Sequence, residues 1–369
     1  MKTTTTLVSI LLIATTALKA QEQPEKKWYV KPYASYFFSL TPVEYPSIGG
    51  MPSRDRVFTV NPVTGQQATQ SEDIMTGSFG AGYRIGLVGG YQFNNVLGLE
   101  MAFNYYKSNT QDMSKQNGTF TGTGSPMDGT TALSMEATGQ VTAFDIAPAL
   151  VLYIPNQSQT FKPYAKVGVI IPVSGYSENV TKITDNTGSV AVSQGLLTTE
   201  MRAAITQAAI QQYTNAGFPY QTPNVQMLLS GVERVDRTRS KPTVGFQSAL
   251  GADFLLSKTL SINIEVEYRN VTVSSKKREM QSVSGSYVVI DRNNNNPSTS
   301  APFVLGQGTL SKDAASEASK TINYHDHINV NEHNIVASGQ FDPNRPADEV
   351  SNRLTFGGLG VSLGFKFRF

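Results

Sequence analysis

The residues of this chain able to do chemistry are few and loosely grouped. All three histidines, His325, His327 and His333, fall in one stretch with Asp326 and Glu332 beside them (YHDHINVNEH). On a strand, His325 and His327 would share a face, and His333 could fold back to complete a cation site. No recognised metal-ligand spacing is met. The expectation for this Asn-rich stretch is therefore an exposed, solvated hairpin, with no metal and no cofactor. Gly358–Ser362 (GLGVS) places a serine after glycines, but it lacks the strand–turn–helix elbow that exposes a nucleophile. The chain is not expected to be an enzyme.

The charges that do follow a pattern are carried by strands. In the last segment, Leu354–Phe369 (LTFGGLGVSLGFKFRF), Leu359, Val361, Leu363, Phe365, Phe367 and Phe369 alternate with Gly360, Ser362, Gly364, Lys366 and Arg368. A period of two sends these sets to opposite faces. One face is apolar and ends in aromatics, while the other is small and then cationic. In water such a strand would aggregate along its edge. As a stave of a closed barrel in lipid, its apolar face meets acyl chains and its polar face meets the lumen.

The same alternation recurs in 28–40, 79–93, 97–107, 140–154, 163–173, 243–256 and 260–273. Each is long enough for a tilted membrane strand, which needs about nine to eleven residues. Short links after the second, fourth and sixth strands alternate with long ones at about 41–78, 108–139, 174–242 and 274–353. That rhythm predicts an all-β fold: an up-and-down antiparallel transmembrane β-barrel of eight strands, with short periplasmic turns and long extracellular loops. Tyr287–Ile290 and Ile322–Ile328 have mixed alternation and read as hairpins above the membrane. A ten-stranded barrel is the alternative.

Inward positions carry Lys31, Arg84, Lys166, Arg269, Lys366 and Arg368 against Glu100, Asp145, Asp253, Glu265 and Glu267. An eight-stranded interior is just wide enough for side chains to fill it, and a buried charge is costly unless paired. Ion pairs are therefore expected across the lumen, with Arg84, Glu265, Glu267 and Arg368 as the candidate network. Among the loops, Thr198–Ala216 reads as a helix, capped by Thr198 or Thr199 and stopped by Gly217 and Pro219. Met201, Ala204, Ile205, Ala208 and Tyr213 form its apolar stripe, expected to pack as a lid on the other loops. The run Asn293–Asn296 is expected to be a flexible loop tip.

Bulk composition agrees with export. Lys2, an apolar run Leu7–Ile13 and small residues down to Ala20 have the order of a secretory signal peptide, too short to span a bilayer. Residues 1–20 are the expected leader, with a cut after Ala17 as the alternative, and 21–369 the exported barrel. No cysteine is present, which excludes disulfides and a lipidated cysteine. With 30 basic and 28 acidic residues the net charge is +2, which gives no reason to expect a nucleic-acid partner.

The alternating strand ending on Phe369 and the Ala20–Gln21 junction resemble the small outer-membrane β-barrels of Gram-negative bacteria, the OmpA-like and OmpW-like porin-family barrels common in Bacteroidetes. The resemblance implies integral residence in the cell outer membrane, among its lipids. It also implies insertion by the outer-membrane assembly machinery, reading Leu363, Phe365, Phe367 and Phe369. The expected function is a surface-exposed loop crown for binding an extracellular ligand or protein, or for envelope structure, above a lumen closed by ion pairs. The alternative is a narrow porin or uptake channel for small molecules, gated by the helix of the third loop.

Overall fold

A computed structural model describes residues 27–369 except 41, 46–51, 123–124, 156–157, 159, 194–195, 297–300 and 337–339. The expected leader at 1–20 lies outside the described residues. The membrane part consists of staves β1 (Trp28–Ser39), β2 (Gly82–Gln92), β3 (Leu97–Ser108) and β4 (Thr131–Tyr153), then β5 (Phe161–Asp185), β6 (Gly245–Leu255), β7 (Leu260–Asn270) and β8 (Gly358–Arg368). Each pairs antiparallel with the next around the ring, β6 with β5 and β7 included. β8 pairs with both β7 and β1, so the barrel closes on eight strands. Closure pairs the staves edge to edge along most of their length, which lipid demands because no water is there to satisfy an open edge.

Burial follows the period of two. Along β7, Ser261, Asn263, Glu265, Glu267 and Arg269 are buried, while Ile264, Val266 and Tyr268 face outward. Along β8, Gly360, Ser362, Gly364 and Lys366 point in and Leu359, Val361, Leu363, Phe365 and Phe367 point out. Outward aromatics form two belts: Trp28, Phe93, Phe161, Phe254, Phe367 and Phe369 at the short-turn end, and Tyr36, Phe38, Tyr83, Phe144, Phe246 and Tyr268 at the other. Amphipathic rings at both ends of an apolar band are the signature of a bilayer crossing. The tight turns are held by side-chain acceptors. Asn94 Oδ1 takes the amides of Val96 and Leu97 at 2.8 Å, and Ser257 Oγ takes those of Thr259 and Leu260 at 3.2 and 3.1 Å.

The segments expected as long loops are largely strand. β4 and β5 run on past the membrane for 23 and 25 residues in all, and stay paired from Tyr153/Tyr164 to Leu133/Asp185. Beyond the barrel a sheet continues: Gln67–Ile74, Arg54–Val60, Gln111–Phe120, β4, β5, Val225–Ser240 and Thr272–Asn295 are neighbours in that order. Its inner face buries an apolar core that includes Phe58, Phe79, Met113, Phe120, Met135, Leu229 and Val289. A fully buried side chain of this size contributes about 1.5–3 kcal/mol, so the crown holds its own shape. Alternation in these segments is mixed because both faces of the crown see water or protein, not lipid.

The helix forms at Thr199–Ala216, with the Thr198 hydroxyl accepting from the Met201 amide and Gly217 closing it at φ 67°. Its buried face differs from the expected stripe. Ala209 and Tyr213 are buried and Ile205 half-buried, while Met201, Ala204 and Ala208 are exposed. Tyr213 sets this rotation: its hydroxyl donates to Asp291 Oδ2 (3.1 Å) and its ring packs 5.0 Å from that of Phe303. Asn293–Asn295 is also not a loose tip. Asn294 is buried, accepts the Gln221 amide at 2.7 Å, and donates to Gln221 O and Asp291.

Candidate functional site

The inward charges lie in successive layers along the barrel. Nearest the short-turn end, Asp253 receives Lys366 (2.7 Å) and Arg368 (3.2 Å), and Lys366 also donates to the Tyr153 hydroxyl at 2.6 Å. In the next layer Glu265 is shared by Lys31 (2.6 Å) and Lys166, while Lys31 also reaches Glu100 at 3.0 Å. The phenols of Tyr164 and Tyr29 donate to Glu265 (2.6 Å) and Glu100 (3.1 Å). Above these, Arg84 forks onto both oxygens of Glu267 and gives its Nε–H to Ser35. The uppermost layer joins Arg269 to Asp145 at 2.7 Å, with Asn104 donating to the same carboxylate.

The residues expected as one network thus fall in three layers: Arg84 meets Glu267, Glu265 meets the two lysines, and Arg368 meets Asp253. Register decides this, and register is not carried by the alternation itself. The aromatic rings that complete each layer are part of the same signal. Tyr29 sits against Gly90, where a Cβ would lie 2.1 Å from its ring, and Phe37 against Gly360, where it would lie 2.6 Å away. Glycine is required at those two points so that a large ring can fill the narrow bore.

Above the top layer lies a cavity of about 310 Å3, floored by Phe37, Tyr106 and the Arg269–Asp145 pair and roofed by Leu354 and Phe356. Its wall has a gap. β5 pairs with β6 up to Ile170/Gly245 and with Val225–Ser240 from Tyr176/Arg239 onward, and no ladder joins 171–175 to 240–244. Pro172 and Pro242 both lie in that interval and line the cavity. Proline has no N–H to give a ladder, so Pro172 on β5 and Pro242 in the segment facing it each take a donor out of this stretch. Val173 and Val244, both strongly exposed, flank the gap. By register Ser174 is level with Phe144 of the outer aromatic belt, which sets the gap at the outer edge of the apolar band. Sequence reasoning passed over it, although a proline inside one strand and another just before the next were visible breaker signals.

The cavity rim outside the membrane is cationic. Lys241 pairs with Asp326 (2.7 Å), and Arg239 (3.7 Å) and Lys277 (2.9 Å) share Glu279. The hydrogen bond from Lys277 holds the Glu279 carboxyl below its usual range, and that from Lys241 does the same for Asp326.

The histidines do not converge on one point. His325 and His333 stack edge to face at 4.4 Å, and His325 Nε2 lies 2.7 Å from Asp348 Oδ1, whereas His327 is exposed. Among the described residues no cluster of three or more metal-ligating side chains is formed. Burial raises the Asp348 carboxyl, but the Asn334 amide and His325 outweigh it and hold the group below the ordinary carboxylate range. Leu363, Phe365, Phe367 and Phe369, the expected assembly signal, project outward as the exposed apolar face of β8 and its end.

A closed antiparallel barrel with an apolar, aromatic-belted exterior and a charge-lined interior defines an integral outer-membrane β-barrel protein. The sequence family described as outer membrane protein beta-barrel domain matches residues 6–301, and the chain belongs to it. No curated protein matches the chain. Among solved structures it is similar to the outer membrane protein OprG from Pseudomonas aeruginosa, at 13% identity and a TM-score of 0.35, covering 95% of this chain and 99% of that one. A major outer membrane protein from Thermus thermophilus gives 12% identity and a TM-score of 0.29, over 93% and 99%. The E. coli outer membrane protein W gives 11% and 0.25, over 93% and 98%.

Proposed function

We propose that this protein is a non-conducting outer-membrane binding protein whose folded crown and the cavity at its base take up a small ligand from outside. The observation that carries this reading is the pairing of the lumen charges in layers beneath the cavity. An ion crossing the bore would have to displace buried pairs whose separation costs several kcal/mol each. The crown's own apolar core supports a preformed surface, which binds without first having to become ordered. Outer-membrane lipids surround the apolar band, and the outward face ending in Phe367 and Phe369 fits recognition by the assembly machinery. No nucleophile–base arrangement is part of this reading, and catalysis is not proposed.

The test is single-channel conductance of the refolded protein in a planar lipid bilayer. Silence is expected from folded protein, and discrete conductance steps would overturn the reading. A variant carrying both Arg84→Ser and Glu267→Ser serves as the comparison, because it thins the layer just beneath the uppermost pair. Uptake of small molecules is the second reading, and the gap at Pro172 and Pro242 favours it. A molecule in transit would then pass sideways through the wall, not down the bore. The helix Thr199–Ala216 contributes nothing to the cavity lining, which argues against its acting as the gate.

A further inference from the structure

We infer that the cavity is a site for an amphipathic anion, an acyl chain with a carboxylate or phosphate head, whose head is held by Lys276. This rests on the cavity being the binding site proposed above. The charge around the cavity is unequal: Arg239, Lys241, Arg269 and Lys276 line it, against Asp145 alone. Asp145 is fully engaged by Arg269 and Asn104. Lys241 and Arg239 have Asp326 and Glu279. Lys276 has no ion-pair partner among the described residues.

Its placement is built in. Ser240 pairs with Ser275 and Arg239 with Lys277, so Lys276 is the extra residue of a β-bulge. A bulge breaks the alternation and re-aims one side chain. Here it delivers an unpaired ammonium to the mouth of a cavity whose depth is apolar, with Ile170, Val271, Val273 and Phe356 inside. A cation at the mouth and hydrocarbon within match a molecule with one anionic end and one apolar body, and they mismatch an ammonium or a sugar. The gap between Pro172 and Pro242 opens toward the outer edge of the apolar band, where such molecules partition.

Three probes with the same decyl-length chain test this on the full chain in phosphatidylcholine nanodiscs: decanoate, decanol and decyltrimethylammonium. The expected result is that decanoate binds roughly two- to fivefold tighter than decanol, as one solvent-exposed charge contact provides, and that the ammonium binds weakest. Lys276→Gln should erase the decanoate–decanol difference without lowering decanol affinity, and Lys276→Arg should keep it. Because Lys276 is exposed and bulged, neither variant threatens folding, which heat-dependent gel mobility checks. Equal binding of decanoate and decanol by the natural chain would overturn the anion inference while leaving the binding site standing. No binding of any probe would sink both. Repeating the titration with phosphatidylglycerol in the discs identifies the source of the natural ligand: competition points to a bilayer lipid, and undiminished decanoate affinity to a free amphiphile.

Discussion

Glu265 is the residue on which the lumen turns, since it compensates Lys31 and Lys166 together and accepts from Tyr164. Glu265→Gln leaves two buried ammonium groups with only Glu100, 3.0 and 3.9 Å away, between them. Removing one partner of a buried pair costs about 3–5 kcal/mol, whereas replacing both by apolar groups is often close to neutral. The isolated pair of Arg84 and Glu267 separates those two cases. Urea unfolding in lipid vesicles should show a large loss for Glu267→Leu alone and a much smaller one for Glu267→Leu with Arg84→Met. Equal losses would mean that the pair is not the unit of stability. Outside the membrane, Asp348 gives a pH dependence with a definite sign. Its carboxyl is depressed on folding, so its contribution is complete above the unfolded value of about 3.9 and fades as pH falls through the lower folded value. Ala347–Val350 should thus lose hydrogen-exchange protection below about pH 4, and Asp348→Asn should remove that dependence. Protection unchanged through the whole acid range would show that the carboxylate holds nothing there.

At the scale of elements, the two prolines make the wall gap a matter of backbone donors, and the gap can be closed chemically. Pro172→Val with Pro242→Thr restores an N–H to each facing segment at β-favouring residues. Amides in 171–175 and 240–244 that face across the gap should exchange fast in the natural chain and become protected in the double variant, and ligand entry to the cavity should slow; those already paired with β4, and the Lys241 amide held by Ser274 O at 2.8 Å, should be protected in both. Fast exchange in both would place the cause of the gap in strand divergence and not in proline. The staves themselves were legible because lipid on one side and a charged bore on the other impose the cleanest alternation a chain can carry. Every inward charge of β7 and β8 was readable for that reason. The crown was not legible: its strands face water and a private core, so Val225–Ser240 and Thr272–Asn295 mix apolar and charged residues without a fixed period. The ion-pair partners were lost for a different reason. Alternation gives the face of a residue but not its height, and Arg368 ends up beside Asp253, not beside Glu265 or Glu267. The helix was found from its caps, yet its buried face was set by Tyr213 and its distant partners Asp291 and Phe303, which helical period alone cannot rank.

For the molecule as a whole, the decisive feature is that membrane barrel and crown share continuous strands. β4 and β5 pair without interruption other than a bulge near Pro172, from the short-turn end to the crown core, and Thr272–Asn295 follows directly on β7. A crown on flexible loops would open independently, because few contacts would tie it to the membrane part. Here a tear between crown and barrel has to cross the same ladders that hold the staves together, so the two should unfold as one cooperative unit. The single tryptophan, Trp28, sits at the short-turn end with Tyr91 against its ring at 4.8 Å, and it reports on the barrel alone. Protease cleavage within the helix Thr199–Ala216 reports on the crown alone. In a urea series on protein in lipid vesicles, the two transitions should share one midpoint. Removing residues 198–217 takes away the buried Tyr213 and should lower both midpoints together without separating them; in that variant, cleavage in the strand Val225–Ser240 takes over as the crown signal. A crown transition well below that of Trp28 would mean that shared strands do not couple the halves, and the rigid, preformed binding surface proposed here would have to be given up for one that orders on contact.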